Sequence, residues 1–149
     1  MSTSIPLEQQ VVLITGAARG LGAELSRVFL EQGARVIVNY FQSAEAAQRL
    51  VAAHPQQAFA YQADVTDVAQ VQAMLTAAQA HFQAPCTTIV NNALPAFEFN
   101  GDARPHVDTL TWHNLHQQMH GIVAGALHTV QAALPGMKAA GFGRVINIG

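Results

Sequence analysis

The sequence predicts an α/β protein: a parallel sheet, doubly wound, with helices on both faces. Three observations carry that prediction. Short apolar runs rich in branched residues recur along the chain, as in strands buried on both faces. Longer stretches of helical periodicity lie between them, giving the alternation of βαβ units. A glycine-rich segment directly follows the first apolar run, where such sheets turn into their first helix.

Val11-Val12-Leu13-Ile14 is the first predicted strand. After the glycine-rich turn from Thr15 to Gly22, Leu21, Leu25, Val28 and Phe29 recur at helical spacing, and Gly33 ends that helix. Arg35-Val36-Ile37-Val38 is the second strand, and Ser43 is placed to cap a helix running to about His54. Ala58-Phe59-Ala60-Tyr61 is a weaker third strand. Val68, Val71, Leu75, Ala78 and Phe82 mark an amphipathic helix with Asp67 near its start. Thr88-Ile89-Val90 is the fourth strand. Leu94 to Thr109 is polar and broken by proline and glycine, so it reads as a long loop. A helix is predicted from about Trp112 to Leu134, and Arg144 to Ile148 is a fifth strand.

The 149 residues suit one domain, and 50% hydrophobic content is enough for a core. A formal charge of −2 gives no electrostatic case for nucleic acid or an acidic membrane surface. No apolar run approaches the roughly 20 residues of a membrane span. Met1 to Gln10 lacks the basic and apolar regions of a signal peptide. The single cysteine, Cys86, excludes an internal disulfide framework and suits a reducing, cytoplasmic setting.

The turn reads Thr15-Gly16-Ala17-Ala18-Arg19-Gly20-Leu21-Gly22. Gly16 permits a tight bend. Gly20 lets backbone approach a phosphate, and Gly22 lets the helix pack close to the sheet. The helix N-terminus then offers free N–H groups and a positive dipole to an anion. The glycines follow G-x-x-x-G-x-G, unlike G-x-G-x-x-G or a phosphate loop ending in Gly-Lys-Ser/Thr.

That spacing, with its preceding threonine, resembles the signature of the classical short-chain dehydrogenase/reductase family. Asp64-Val65 after the third strand, Asn91-Asn92-Ala93 after the fourth, and Gly143 to Ile148 also resemble the family's motifs, in the family's order. The general look is most similar to 3-oxoacyl-(acyl carrier protein) reductase-like members. The resemblance runs from Val11 to Gly149. It implies a Rossmann-type sheet of order 3-2-1-4-5, ending here after the fifth strand. Residues 1–149 would form the dinucleotide-binding domain of an NAD(P)-dependent oxidoreductase, passing hydride between nicotinamide and a carbonyl or alcohol carbon. It implies a cofactor site of Gly16, Ala18, Arg19, Gly20, Leu21 and Gly22 from the turn, Tyr40 and Ser43 after the second strand, Asp64 and Val65, and Asn92 and Ala93. It also implies a small-molecule substrate and a homo-oligomer when complete. Plainer readings stand beside these: Asp64 can begin the next helix with Thr66 and Asp67, Asn91 and Asn92 can serve local backbone, and Arg19 can be a solvated charge.

The family's chemistry uses a serine and a Tyr-x-x-x-Lys pair. A tyrosine of pKa about 10 needs a nearby cation to shuttle protons near neutrality. Here the two tyrosines, Tyr40 and Tyr61, are followed four residues on by Ala44 and Val65, and the only lysine is Lys138. The chain ends about one residue short of the place of the family's serine. No catalytic residue is therefore expected in it. Other departures are Leu94 where the family has glycine, Ile122 where it often has asparagine, and Thr87 where aspartate is common. Ile122 and Leu94 slightly favour a second reading, a non-catalytic nucleotide-binding or interaction module.

His116 and His120, with His113 nearby, form too small a set for zinc, so no metal is expected. Phe97 and Phe99 either line a substrate pocket or pack the loop down. The cofactor expected is NADP rather than NAD. Tyr40 stands where the family's NAD users carry aspartate, and Arg19 stands where many NADP users carry a base. Ser43 offers one more hydrogen bond, and Gln42 replaces an arginine seen in several NADP users.

Overall fold

The computed structural model describes residues 5–94 and 106–149. Five parallel strands form one sheet in the order β3-β2-β1-β4-β5, which is the 3-2-1-4-5 order expected. They are β1 (Val11–Ile14), β2 (Arg35–Tyr40), β3 (Ala58–Gln62), β4 (Thr88–Asn91) and β5 (Arg144–Asn147). The helices are α1 (Gly20–Glu31), α2 (Ala44–Ala53), α3 (Val68–Phe82), α4 (Trp112–Met119) and α5 (Gly125–Ala140). A π-helical turn, His120–Ala124, joins α4 to α5. Phe97, Phe99 and most of the predicted loop lie outside the described residues.

Strand alternation divides the core between the two faces. Val11, Leu13, Ile37 and Ile89 face α3 and α5, meeting Val71, Met74, Ala78, Ala133 and Met137. Val12, Ile14, Val36, Val38 and Val90 face α1 and α2, meeting Leu30 and Ala47. Each continuous apolar run thus serves both layers.

Three helix expectations need correction. The buried residues of α1 are Gly22, Ser26 and Leu30, at four-residue spacing, whereas Leu21 and Val28 are exposed. Small side chains let α1 lie close to the turn and sheet, so its innermost stripe is not its most apolar one. Ser43 occupies the N-cap of α2, yet its hydroxyl makes no capping bond. The last long helix does not stop at Leu134. Its buried stripe, Gly125, Thr129, Ala133 and Met137, continues past Pro135. Pro135 is exposed beside exposed Gln131, whose carbonyl loses its usual donor on a side open to water. The helix ends where Gly141 turns left-handed at φ +66, with Gly141 N–H donating to Lys138 and Phe142 N–H to Met137.

The strand ends set up the site. The carboxyl ends of β1, β2, β3 and β4 all open toward one edge of the sheet, the edge at which open α/β sheets take their ligands.

Candidate nucleotide-binding site

The glycine turn is held by side chains on two neighbouring strands. Thr15 Oγ1 accepts the N–H groups of Asn92 and Ala93, both at 2.9 Å. Asn92 Nδ2 returns a bond to the Thr15 carbonyl at 3.0 Å and reaches the Gly16 carbonyl at 3.3 Å. From the other side, Asn39 Oδ1 accepts the Gly16 N–H at 3.3 Å and the Asn39 carbonyl accepts the Ala17 N–H at 2.8 Å. Asn92 and Ala93 therefore stand against the turn, and Ala17 and Ala18 are buried beneath it.

The glycines have separate reasons. Gly16 and Gly20 adopt φ +62 and +54, which glycine tolerates best. Nothing stands within 4 Å of a Cβ built on Gly20, so the space in front of the turn is open there. Gly22 corrects its expected role. Its close neighbours are the Gly16 carbonyl oxygen and Asn92 Nδ2, 2.2 and 2.7 Å from a built Cβ, rather than a sheet strand. Among the described residues, the N–H groups of Gly20, Leu21 and Gly22 have no protein acceptor. They are the orphan donors of a helix start, pointed at the space an anion would take. Arg19 and Leu21 are exposed beside them.

At the carboxyl ends of β2 and β3, Tyr40 is half-buried, and its carbonyl accepts the Ala63 N–H. Ser43 is half-buried at the head of α2 with its hydroxyl unengaged as a cap. Asp64 Oδ1 accepts from the N–H and hydroxyl of Thr66 at 2.8 and 2.7 Å, a local turn. The residue that caps α3 is Asp67, which accepts from Ala69 and Gln70 N–H. Those bonds, the one from Gln70 first, hold the Asp67 carboxyl below its ordinary range. Val65 packs on α5: a Cβ on Gly125 would stand 2.8 Å from its Cγ2, and His128 Nδ1 meets its carbonyl at 3.0 Å.

Between these parts lies a cleft of about 280 Å³, lined by Thr15, Val65, Asn91, Ala93, Ile122 and Asn147 among others. Two of its lining residues, Asn91 and Asn147, are bonded in a row that starts behind them at Thr129. Buried Thr129 donates to Asn91 Oδ1 at 2.8 Å, and Asn91 Nδ2 donates to Asn147 Oδ1 at 2.9 Å. Ile122 faces this cleft from the π turn, in place of an asparagine. Leu94 is exposed and does not line it. Thr87 is buried and bonds to Val11 at the opposite end of β4.

Sequence reading missed Asn39, Thr129 and Asn147 as site supports. The signal for Asn39 was present: a polar residue at the end of an apolar strand must find partners once buried. The pairings of Thr129 and Asn147 depend on which helix packs over β4. Lys138 lies exposed in the last turn of α5, while Tyr40 and Tyr61 lie in β2 and β3. His116 and His120 are exposed with ring centroids 6.2 Å apart, and among the described residues no three potential metal ligands gather. Cys86 is buried away from the site, and burial pushes its thiol up to about 12. No described helix is long and apolar enough to cross a membrane.

Known proteins resemble this chain in sequence and fold. The chain is 33% identical to D-beta-hydroxybutyrate dehydrogenase of Cupriavidus necator, covering 95% of this chain and 53% of that protein. It is 32% identical to an NADPH-dependent aldehyde reductase-like protein of Arabidopsis thaliana, over 60% of this chain and 37% of that one. A short-chain dehydrogenase from Streptomyces avermitilis superposes with TM-score 0.75 at 30% identity, covering 99% of this chain and 50% of that one. A 3-oxoacyl-reductase, so described, from Bacillus thuringiensis gives TM-score 0.80 at 25% identity, over 93% and 56%. The chain thus spans about half the length, or less, of the relatives it matches. The short chain dehydrogenase family model matches residues 10–149, and the chain belongs to that family.

Proposed function

We propose that this chain is the nucleotide-binding part of an NAD(P)-dependent oxidoreductase, that it prefers NADP, and that residues 1–149 alone do not turn over substrate. The observation that carries the reading is the open, preorganised turn from Gly16 to Gly22. Its orphan N–H groups and the exposed Arg19 are neighbours in the chain at the sheet's carboxyl edge. The pyrophosphate would sit on the α1 N-terminus. Asp64 and Val65 would border the adenine, and Asn92 and Ala93 the path toward the nicotinamide. When bound, the cofactor supplies or accepts hydride at a carbonyl or alcohol carbon of a small substrate. Tyr40 puts no negative charge beside the adenosine ribose, and Arg19 offers a cation there. The lone buried thiol suits a cytoplasmic setting, and the exposed apolar faces of α5 and β5 suit a homo-oligomer.

A 3-oxoacyl thioester is one carbonyl substrate that fits the reading, given the Bacillus thuringiensis neighbour. The second reading, a binding module without chemistry, draws on Ile122, which presents a hydrocarbon to the cleft where a polar side chain would hold water.

The test has two arms. Fluorescence titration of NADPH and NADH is expected to give saturable binding of both, tighter for NADPH. Nicotinamide absorbance over a panel of ketones and alcohols is expected to stay at background. No binding of either cofactor would overturn the nucleotide reading. Turnover that disappears in Gly22→Ala would overturn the claim of inactivity.

A further inference from the structure

Asn39 is a buried polar residue in an otherwise apolar strand interior, 2% exposed, and its amide is used at both ends. Oδ1 accepts from Gly16 N–H at 3.3 Å. Nδ2 donates to the Ala63 carbonyl at 3.1 Å. Gly16 belongs to the turn proposed to hold the pyrophosphate. Ala63 immediately precedes Asp64 and Val65, proposed to border the adenine. One planar group therefore spans the two halves of the site, from the strand between them.

A short amide does this at one position, because it carries a donor and an acceptor on the same plane. Aspartate would keep the acceptor for Gly16 and set a second oxygen against the Ala63 carbonyl. Alanine would leave both backbone groups without the bond. Gly16 has little other support on that side. Its carbonyl is held by Asn92 across the turn, and β2 holds the turn at the Gly16 N–H through the Asn39 side chain and at the Ala17 N–H through the Asn39 carbonyl, so only the first bond depends on the residue type.

We infer that Asn39 is a positioning residue for the cofactor: it sets the spacing between the phosphate turn and the adenine wall, so that one dinucleotide can engage both at once. The inference rests on the dinucleotide reading above. A ligand that touches only one half should be indifferent to it, whereas one that spans both should suffer.

The probes are NADPH, which spans both halves, and adenosine, which carries no phosphate and reaches only the adenine side. They are titrated into the wild type, Asn39→Ala and Asn39→Asp, each corrected for its folded fraction. Both variants are expected to weaken NADPH by about tenfold, the scale of one lost hydrogen bond. Both should change adenosine binding by less than about twofold. Equal weakening of both probes marks a merely structural residue and overturns the inference, as does unchanged NADPH affinity. Wild-type protein that binds neither probe overturns the dinucleotide reading, and this inference with it. If the variants do not fold, amide exchange in the wild type decides. The Gly16 N–H has Asn39 Oδ1 as its acceptor, so it should exchange slowly without cofactor, and fast exchange overturns the inference.

Discussion

A Cβ placed on Gly22 would stand 2.2 Å from the carbonyl oxygen of Gly16. The contact is with backbone, which cannot rotate away as a flexible side chain can. Gly22→Ala is therefore expected to push α1 off the turn, at about 3 kcal/mol, the upper range of overpacking costs. Calorimetry should show a fall in Tm of roughly 10 °C. Gly20→Ala separates shape from space. Its Cβ meets nothing, but its φ is +54, so about 1 kcal/mol is expected, the usual left-handed penalty. If a phosphate occupies that open space, Gly20→Ala should weaken NADPH more than it lowers Tm. The reverse order would argue against a ligand there.

Arg19→Ala addresses the 2′-phosphate. The side chain is exposed, and among the described residues it makes no ion pair. Its removal should weaken NADPH by roughly ten- to a hundredfold, the range of one charge-assisted hydrogen bond. NADH should change little. Equal affinities of the wild type for the two cofactors, or equal losses on substitution, would remove Arg19 from cofactor selection.

Asp67 should give the fold an acid-sensitive edge. Its carboxyl is depressed below the ordinary 3.8 by N–H donors at the head of α3, chiefly that of Gln70. A depressed folded-state pKa means stability that is present above 3.8 and lost as pH falls through the lower folded value. Asp67→Asn keeps an acceptor for the cap and cannot titrate. Melting curves from pH 6 to pH 2, taken here as roughly spanning carboxylate titration, should fall less steeply at the acid end for the variant. Parallel curves would show that the cap contributes nothing to acid sensitivity.

The chain should self-associate. Val123, Leu127 and Leu134 are exposed along the π turn and α5, and Val145 and Ile146 are exposed on the edge strand β5. Apolar surface and an unpaired strand edge both favour association. Light scattering is expected to report species larger than a monomer. Leu127→Lys should shift them downward if the helix face carries the contact, and leave them unchanged if the β5 edge does. A monodisperse wild-type monomer with cooperative unfolding would contradict the prediction.

The sheet order was legible through the family resemblance that the glycine spacing and Asn91-Asn92-Ala93 carry, whereas the apolar runs by themselves gave only alternating strands and helices. The end of α5 was not. Pro135 signals a stop in sequence, and only the packing of Ala133 and Met137 on the sheet shows why the helix continues. The inner stripe of α1 was hidden for the opposite reason. Gly22 and Ser26 carry no hydrophobic signal, yet closeness to the turn matters more there than apolar area. At the site, the glycine turn announced itself, whereas its brace Asn39 looked like an imperfection in β2. Asp64 and Asp67 shared a motif, and only geometry distinguished the residue in the local turn from the one on the helix cap.

The Thr15 hydroxyl receives its two N–H donors from residues 77 and 78 positions further along the chain. During synthesis, the glycine turn leaves the ribosome long before those donors exist. At about 5–20 residues per second, the delay is on the order of 4–16 s. Throughout that interval β1 also lacks its β4 neighbour, so the newly made segment carries bare apolar strand. The glycine turn, although encoded near the start, is thus among the later parts to acquire its final form, and β1 keeps one edge unpaired until β4 arrives.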